Sequence, residues 1–178
     1  MLGLVNSKAR GTPAGFTVVE LVTVIGLVGI LAAVVLPRFV NPQSYRDLLL
    51  KDQLISVARF AQQSALSRYG ERVCLQVSLS GDSWLFEVWS GIDDSTLPPT
   101  QCATTTRLKR QTQARANSTL LHGSSPVGST PVSLRYDSLG NLVGLAANQD
   151  FTASGRNVCV TLAGYAYSAD DRSSCLAN

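Results

Sequence analysis

Apolar and polar positions follow different rhythms in different parts of this chain. From Phe16 to Leu36 the sequence reads FTVVELVTVIGLVGILAAVVL, 21 residues interrupted by a single charge, Glu20. As a helix this run is roughly 30 Å long, enough to cross the hydrocarbon core of a bilayer. Beyond Pro37 and Pro42 the pattern predicts an amphipathic helix over about Ser44–Tyr69. Leu50, Leu54, Val57, Ala58, Ala61 and Ala65 recur at helical spacing, while Lys51, Asp52, Arg59 and Gln63 lie mostly elsewhere. Gly70 is the expected stop. The apolar stripe needs a sheet to cover it.

From Val73 the period shortens to two. Val73, Leu75, Val77 and Leu79 alternate with polar or small residues, Ser80-Gly81-Asp82 turns the chain, and Trp84, Phe86 and Val88 alternate again, which predicts a hairpin. Trp84 and Trp89 then fall on opposite faces of one strand. Residues 91–131 are rich in Ser, Thr, Gly and Pro and read as a long loop, with short strands around Thr104–Leu108 and Thr119–Leu121. Order resumes with a strand at Val132–Tyr136, a turn at Asp137–Asn141 and a strand at Leu142–Leu145. Further strands are expected at Asn157–Leu162 and Tyr165–Ser168, then a polar tail from Ala169. The class implied is α+β, a long N-terminal helix packed on an antiparallel β-sheet head.

The apolar run comes after a polar stretch, Met1–Gly15, that carries Lys8 and Arg10 and no acid. Positive residues ahead of a span keep the N-terminus cytoplasmic and send the downstream chain across. A cleaved signal peptide has a shorter apolar region and a small-residue site after it. A plain anchor fits the length but leaves Glu20 unexplained. A carboxylate deep in a membrane helix costs about 2.5–3.5 kcal/mol on insertion scales, so it calls for a partner or a task. Gly26, Gly29 and Ala33 add small residues along the same helix, which lets helices approach closely or reflects only the usual glycine content of membrane helices.

Gly15-Phe16-Thr17-Val18-Val19-Glu20-Leu21 resembles the processing site of type IV prepilins and type II secretion pseudopilins. The resemblance implies a cut by prepilin peptidase between Gly15 and Phe16, and methylation of the new N-terminal Phe16. It implies that Glu20 neutralises the terminal amine of a neighbouring subunit, since an ammonium and a carboxylate in lipid are tolerable as a pair. Pro37 matches a family position where the long helix bends, as a residue lacking an amide donor should. Pro13-Ala14 before the cut and Val18-Val19 after it depart from the commoner basic pair and Leu-Ile. The second half resembles the GspH/FimT-like minor pilins through Leu134-Arg135-Tyr136-Asp137-Ser138-Leu139-Gly140 and Val158-Cys159-Val160-Thr161-Leu162-Ala163-Gly164-Tyr165. The type IV pilin fold is therefore expected: leader 1–15, transmembrane and assembly helix 16–36, periplasmic amphipathic helix 37–69, and β-rich head 70–178 with its loop at 91–131. The implied partners are other pilin subunits, prepilin peptidase and an inner-membrane assembly platform. The implied location is the inner membrane with the head in the periplasm, then a pilus on the cell surface. A pseudopilin of a type II secretion machine is the alternative, and a DNA-binding competence pilin a further one.

Composition sharpens this. Charged residues are 15% of the 178, against about 25% usually, and apolar residues 45%, which excludes a disordered polymer. The net charge of +3 is partly the leader's, because from Gly70 onward there are 8 basic and 9 acidic residues. Cys74, Cys102, Cys159 and Cys175 all lie beyond the apolar run, and four cysteines outside the cytoplasm read as disulfides in any of about three pairings. The two shortest closures, Cys74–Cys102 and Cys159–Cys175, are preferred. A zinc site is the alternative, but no two Cys are close in sequence and the only His is His122. No metal or cofactor is expected, and no phosphate loop, nucleophile–His pair or spaced carboxylate pair marks an enzyme. Asp93-Asp94 and Asp170-Asp171 read as solvated acids, and the Asn117-Ser118-Thr119 sequon as incidental.

Between Ser95 and Tyr136 there is no acid, yet Arg107, Lys109, Arg110, Arg115 and Arg135 are present. They read either as an electropositive patch for nucleic acid or an acidic partner, or as a solvated loop. No aromatic residue interleaves with them along the sequence, and Gly164–Asp171 is neutral to acidic. Both points argue against DNA uptake.

Overall fold

A computed structural model describes residues 16–39, 42–92, 102 and 105–176. The leader residues, Asp93-Asp94 and the start of the strand expected at Thr104 lie outside them. The chain divides into two compact units at the Asn41–Pro42 junction. The first contains helix α1, Val18–Phe39.

In the second unit, α2 (Pro42–Leu66) precedes strands β1 (Glu71–Ser80), β2 (Ser83–Ile92), β3 (Thr106–Ala114), β4 (Leu120–His122), β5 (Ser125–Pro126), β6 (Val132–Tyr136), β7 (Gln149–Ala153), β8 (Arg156–Val160) and β9 (Ala166–Ala169). A short helix, α3 (Arg172–Leu176), comes last. The predicted stripe on α2 is the centre of the core: Leu50, Leu54, Val57, Ala58, Ala61 and Ala65 are fully buried. Alanines on its C-terminal half let the helix lie close to the strands beneath it. The head is antiparallel throughout and divides into two sheets, in the orders β3-β2-β1-β6 and β5-β4-β7-β8-β9. Val73, Leu75, Val77, Trp84, Phe86 and Val88 of the first sheet share one apolar cluster with Phe151, Ala153, Val158, Val160 and Ala166 of the second.

The β1–β2 hairpin forms where its alternation places it, around the two-residue loop Gly81-Asp82. Trp84 is buried, as an alternating core position requires, and its indole N–H donates to Ser118 Oγ at 2.8 Å. Within 91–131 the two expected strands form as β3, which runs on to Ala114, and β4, and a short β5 is added to them. Strands β3 and β5 are polar because each lies at a sheet edge, whereas β4, inside its sheet, buries Leu120.

The expected strand Leu142–Leu145 is not one. The Leu142 amide donates to Leu162 O at 2.7 Å and the next amide, Val143, to Arg135 O at 2.9 Å, so the chain crosses from one sheet to the other. Gly144, at φ +77°, then breaks the extended backbone. Strand β7 escapes the sequence pattern because it carries a buried acid, Asp150, which pairs with Arg172 at 2.7 Å. The polar tail forms α3, capped by Asp171, whose carboxylate accepts from the Ser173 hydroxyl (2.7 Å) and the Ser174 amide (2.6 Å). Those bonds, the Ser173 hydroxyl foremost, hold the carboxyl below its ordinary range. Cys175 of α3 is buried and bonded to Cys159 of β8, with Cα atoms 5.4 Å apart. Cys74 of β1 is bonded to Cys102, with Cα atoms 5.7 Å apart.

Two turns meet over the C-terminal end of α2. In the first, Asp137 Oδ1 accepts from the amides of Leu139 and Asn141, each at 2.9 Å. In the second, Gln62 of α2 donates to Ala163 O at 2.8 Å. A Cβ at Gly164 would stand 1.9 Å from Gly140 O, and Gly164 has φ +77°. Gly164→Ala should therefore lose more than the roughly 1–2 kcal/mol that a left-handed alanine costs, because a backbone carbonyl must also move. Gly155→Ala, at φ +80° in open space, isolates the conformational part. Urea unfolding of both variants measures the difference, and equal losses would show that the turns separate freely.

Tyr136 is fully buried, and its hydroxyl has no hydrogen-bond partner among the described residues. Burial raises its phenol above the ordinary value of 10.0. Ionisation is thus suppressed in the fold and free in the unfolded chain, so stability is intact below that value and declines as pH rises above it. Tyr136→Phe should hold or raise the unfolding midpoint at neutral pH and flatten the alkaline decline, measured by thermal melts across pH.

Candidate functional site

The features singled out in sequence separate into two places, the start of α1 and the β3 side of the head. Thr17 caps α1: its Oγ1 accepts from the Glu20 amide at 3.2 Å, and its carbonyl accepts from Leu21 N at 3.2 Å. Thr17-Val18-Val19-Glu20 is thus a capping sequence, Thr-x-x-Glu, a signal the sequence carries and the apolar run overshadows. Glu20 sits in the first turn, where the helix dipole favours a negative group. Among the described residues its carboxylate meets no cation. Phe16 precedes the cap and is 81% exposed, while Gly15 lies outside the described residues.

The window Val18–Val35 is long and apolar enough to cross a membrane. Within this unit no described residue covers it. Ile25, Leu27, Ile30, Leu31 and Val34 are each more than half exposed, and apart from the adjoining helix backbone nothing lies within 4 Å of where Cβ atoms would stand on Gly26 and Gly29. Such a surface requires lipid or other helices. The helix runs on to Phe39, so Pro37 lies within its last turn, not after its end, and the Ala33 carbonyl lacks the amide donor it would otherwise receive.

The basic residues form a strand, not a solvated loop. Arg107, Lys109 and Arg110 lie on β3, and the acid missing from their own stretch comes from the neighbouring strand. Glu87 of β2 faces Arg110 in register, at 3.6 Å from its Nε and 3.4 Å from Arg107 Nη1. The aromatic residues absent from the sequence interval also arrive across the fold. Arg107 stacks over Trp89 (5.5 Å), Lys109 over Phe60 (4.7 Å) and Arg115 over Trp84 (5.8 Å). Arg135 is buried. The rings are therefore covered by protein cations. Ser118 of the sequon serves Trp84, and Asn117 sits in a tight turn at φ +69°. His122 Nε2 lies 2.9 Å from Gln149 Oε1, with its ring against Phe151.

No protein-family model and no curated protein matches the sequence. Among solved structures, the chain is similar to the type IV minor pilin FimU of Pseudomonas aeruginosa strain PAO1, with a TM-score of 0.52 and 16% identity over 71% of this chain and 90% of that one.

The Glu87 contacts are loose and half in solvent, so each is worth about 0.2–1 kcal/mol. A double-mutant cycle of Glu87→Gln with Arg110→Gln should give a coupling of that size, shrinking as salt is raised, by urea unfolding. A larger, salt-insensitive coupling would mean that the pair is buried by another part of the chain. These observations place the apolar helix and the head together in one protein with the fold of a type IV minor pilin.

Proposed function

We propose that this chain is a minor pilin, cleaved after Gly15, methylated at Phe16 and incorporated into, or initiating, a type IV pilus. The single observation that carries this reading is a helix with an uncovered apolar surface, a capped first turn and one lone carboxylate, attached to a pilin-fold head. The helix is the assembly element. Withdrawn from the membrane, its apolar residues pack against those of other subunits, and Glu20 pairs with the amine that cleavage creates on a neighbour's first residue. Pro37 supplies a bend in that element. The head stays on the outer side of the inner membrane until assembly, then lies on the fibre surface, where it takes part in attachment. The class of filament proposed is the mannose-sensitive haemagglutinin (MSHA) pilus, whose C-type minor pilin the sequence resembles. Prepilin peptidase and the inner-membrane platform are its processing and assembly partners.

Mass spectrometry of the mature protein should find an N-terminal N-methylated Phe16. Glu20→Leu and Glu20→Ala should insert into the membrane and be cleaved normally, yet enter filaments at a small fraction of the native amount, scored by immunoblotting of sheared pili. Normal incorporation of either variant would remove the role given to Glu20.

A further inference from the structure

We propose that the free edge of β3 accepts an extended acidic segment of a partner protein by strand addition. This stands apart from the pilus reading, because the edge is present whether or not Gly15 is cut.

Strand β3 ends its sheet, and among the described residues no element pairs with its outer side. Hairpin geometry identifies the groups on offer. The two-residue loop makes Ser80 and Ser83 exchange hydrogen bonds, so by alternation Trp84, Phe86 and Val88 turn their backbone groups toward β3. They oppose Gln113, Gln111 and Lys109. Arg110, Thr112 and Ala114 are left directing N–H and C=O groups away from the sheet.

Charge selects what can use them. Arg107 and Arg110 share one acid, Glu87, and remain 45% and 50% exposed, so that face keeps a surplus positive charge. On the other face Lys109 and Arg59 line an open groove of about 490 Å³ beside α2, with Phe60 and Ile55 among its apolar walls. The groove's one acid, Asp52, already pairs with Lys51 at 3.2 Å. An incoming strand thus meets cations on both of its faces and an apolar wall on one. A second copy of the chain is disfavoured: an antiparallel pair centred on Thr106–Ala114 sets Arg110 directly against Arg110. Carboxylates at those positions convert the same contacts from repulsion to attraction, which commits the edge to a heterologous, acidic partner.

The test uses the full-length chain in detergent and two labelled nine-residue peptides matched to β3, one alternating glutamate with valine and one alternating lysine with valine. Fluorescence anisotropy should show the glutamate peptide binding at least about tenfold more tightly, with the preference falling as salt rises. Bound peptide should slow amide exchange at Arg110, Thr112 and Ala114 and leave Gln111 and Gln113 unchanged. Thr112→Pro deletes an outward amide that β2 does not use, and should abolish binding while leaving the unfolding midpoint near native. Thr112→Val keeps the amide and should keep binding, and Arg110→Glu should reverse the peptide preference. Failure of both peptides to bind, equal binding of both, protection elsewhere than at the three outward amides, or undiminished binding to folded Thr112→Pro would each overturn the proposal. If Thr112→Pro unfolds, the exchange pattern on the native chain decides.

Discussion

One stripe of α2 has to satisfy two sheets at once, and the rest of the head is arranged around that demand. Leu50, Leu54 and Val57 on the N-terminal side and Ala58, Ala61 and Ala65 beyond them are all inaccessible to solvent. Their neighbours come from β1, β2 and β6 on one side and from β7, β8 and β9 on the other, merged into one apolar cluster. Among the described residues, neither sheet has another layer of comparable length against its inner face. Helix propensity contributes little to such an element; burial of its apolar side holds it in place. The crossing of Leu142 and Val143 between the sheets, and the contact of Gly140 with Gly164, close the head over the end of that stripe.

The first unit has the opposite character. Its side chains are as apolar as any in the core, yet within the unit itself no described residue covers them. A soluble domain would be destabilised and aggregation-prone with such a surface, whereas a subunit that exchanges lipid for neighbouring helices requires it. The sole carboxylate lies in the first turn behind a threonine cap, where the unsatisfied amides and the helix dipole make a negative group least unfavourable. Charge is thus confined to the two ends of the helix, at Glu20 and Arg38, and none lies between Leu21 and Pro37.

Local periodicity is the part of this fold that the sequence makes legible. The α2 stripe and the β1–β2 hairpin emerge from spacing alone, because each is set by which residues share a face. Segments whose polar groups are satisfied from far along the chain are not legible in this way. Strand β7 contains Asp150 because Arg172 reaches it, and Asn148 beside it is buried because it donates to Cys175 O and accepts from Leu162 N. The basic interval looks unpaired along the sequence because Glu87 and the rings of Trp89 and Phe60 approach only through cross-strand and helix–sheet packing. Leu142–Leu145 misleads because an apolar run can cross between sheets as easily as join one. At the candidate assembly site, Phe16 and Glu20 are plain from spacing. The Thr17 cap is equally local but is masked by the apolarity of the run around it.

Both cystine bonds lie on their own side of the seam between the sheets. Cys74–Cys102 joins β1 to the approach to β3, and Cys159–Cys175 joins β8 to the helix after β9. No described covalent link ties one sheet to the other. The hairpin β1–β2 can form locally within microseconds, but β6 reaches β1 only after the whole stretch from Ser83 to Pro131 has been brought round. Oxidation can therefore proceed on each half without committing the halves to each other, so a chain that pairs its sheets wrongly can part and retry with its cystines intact.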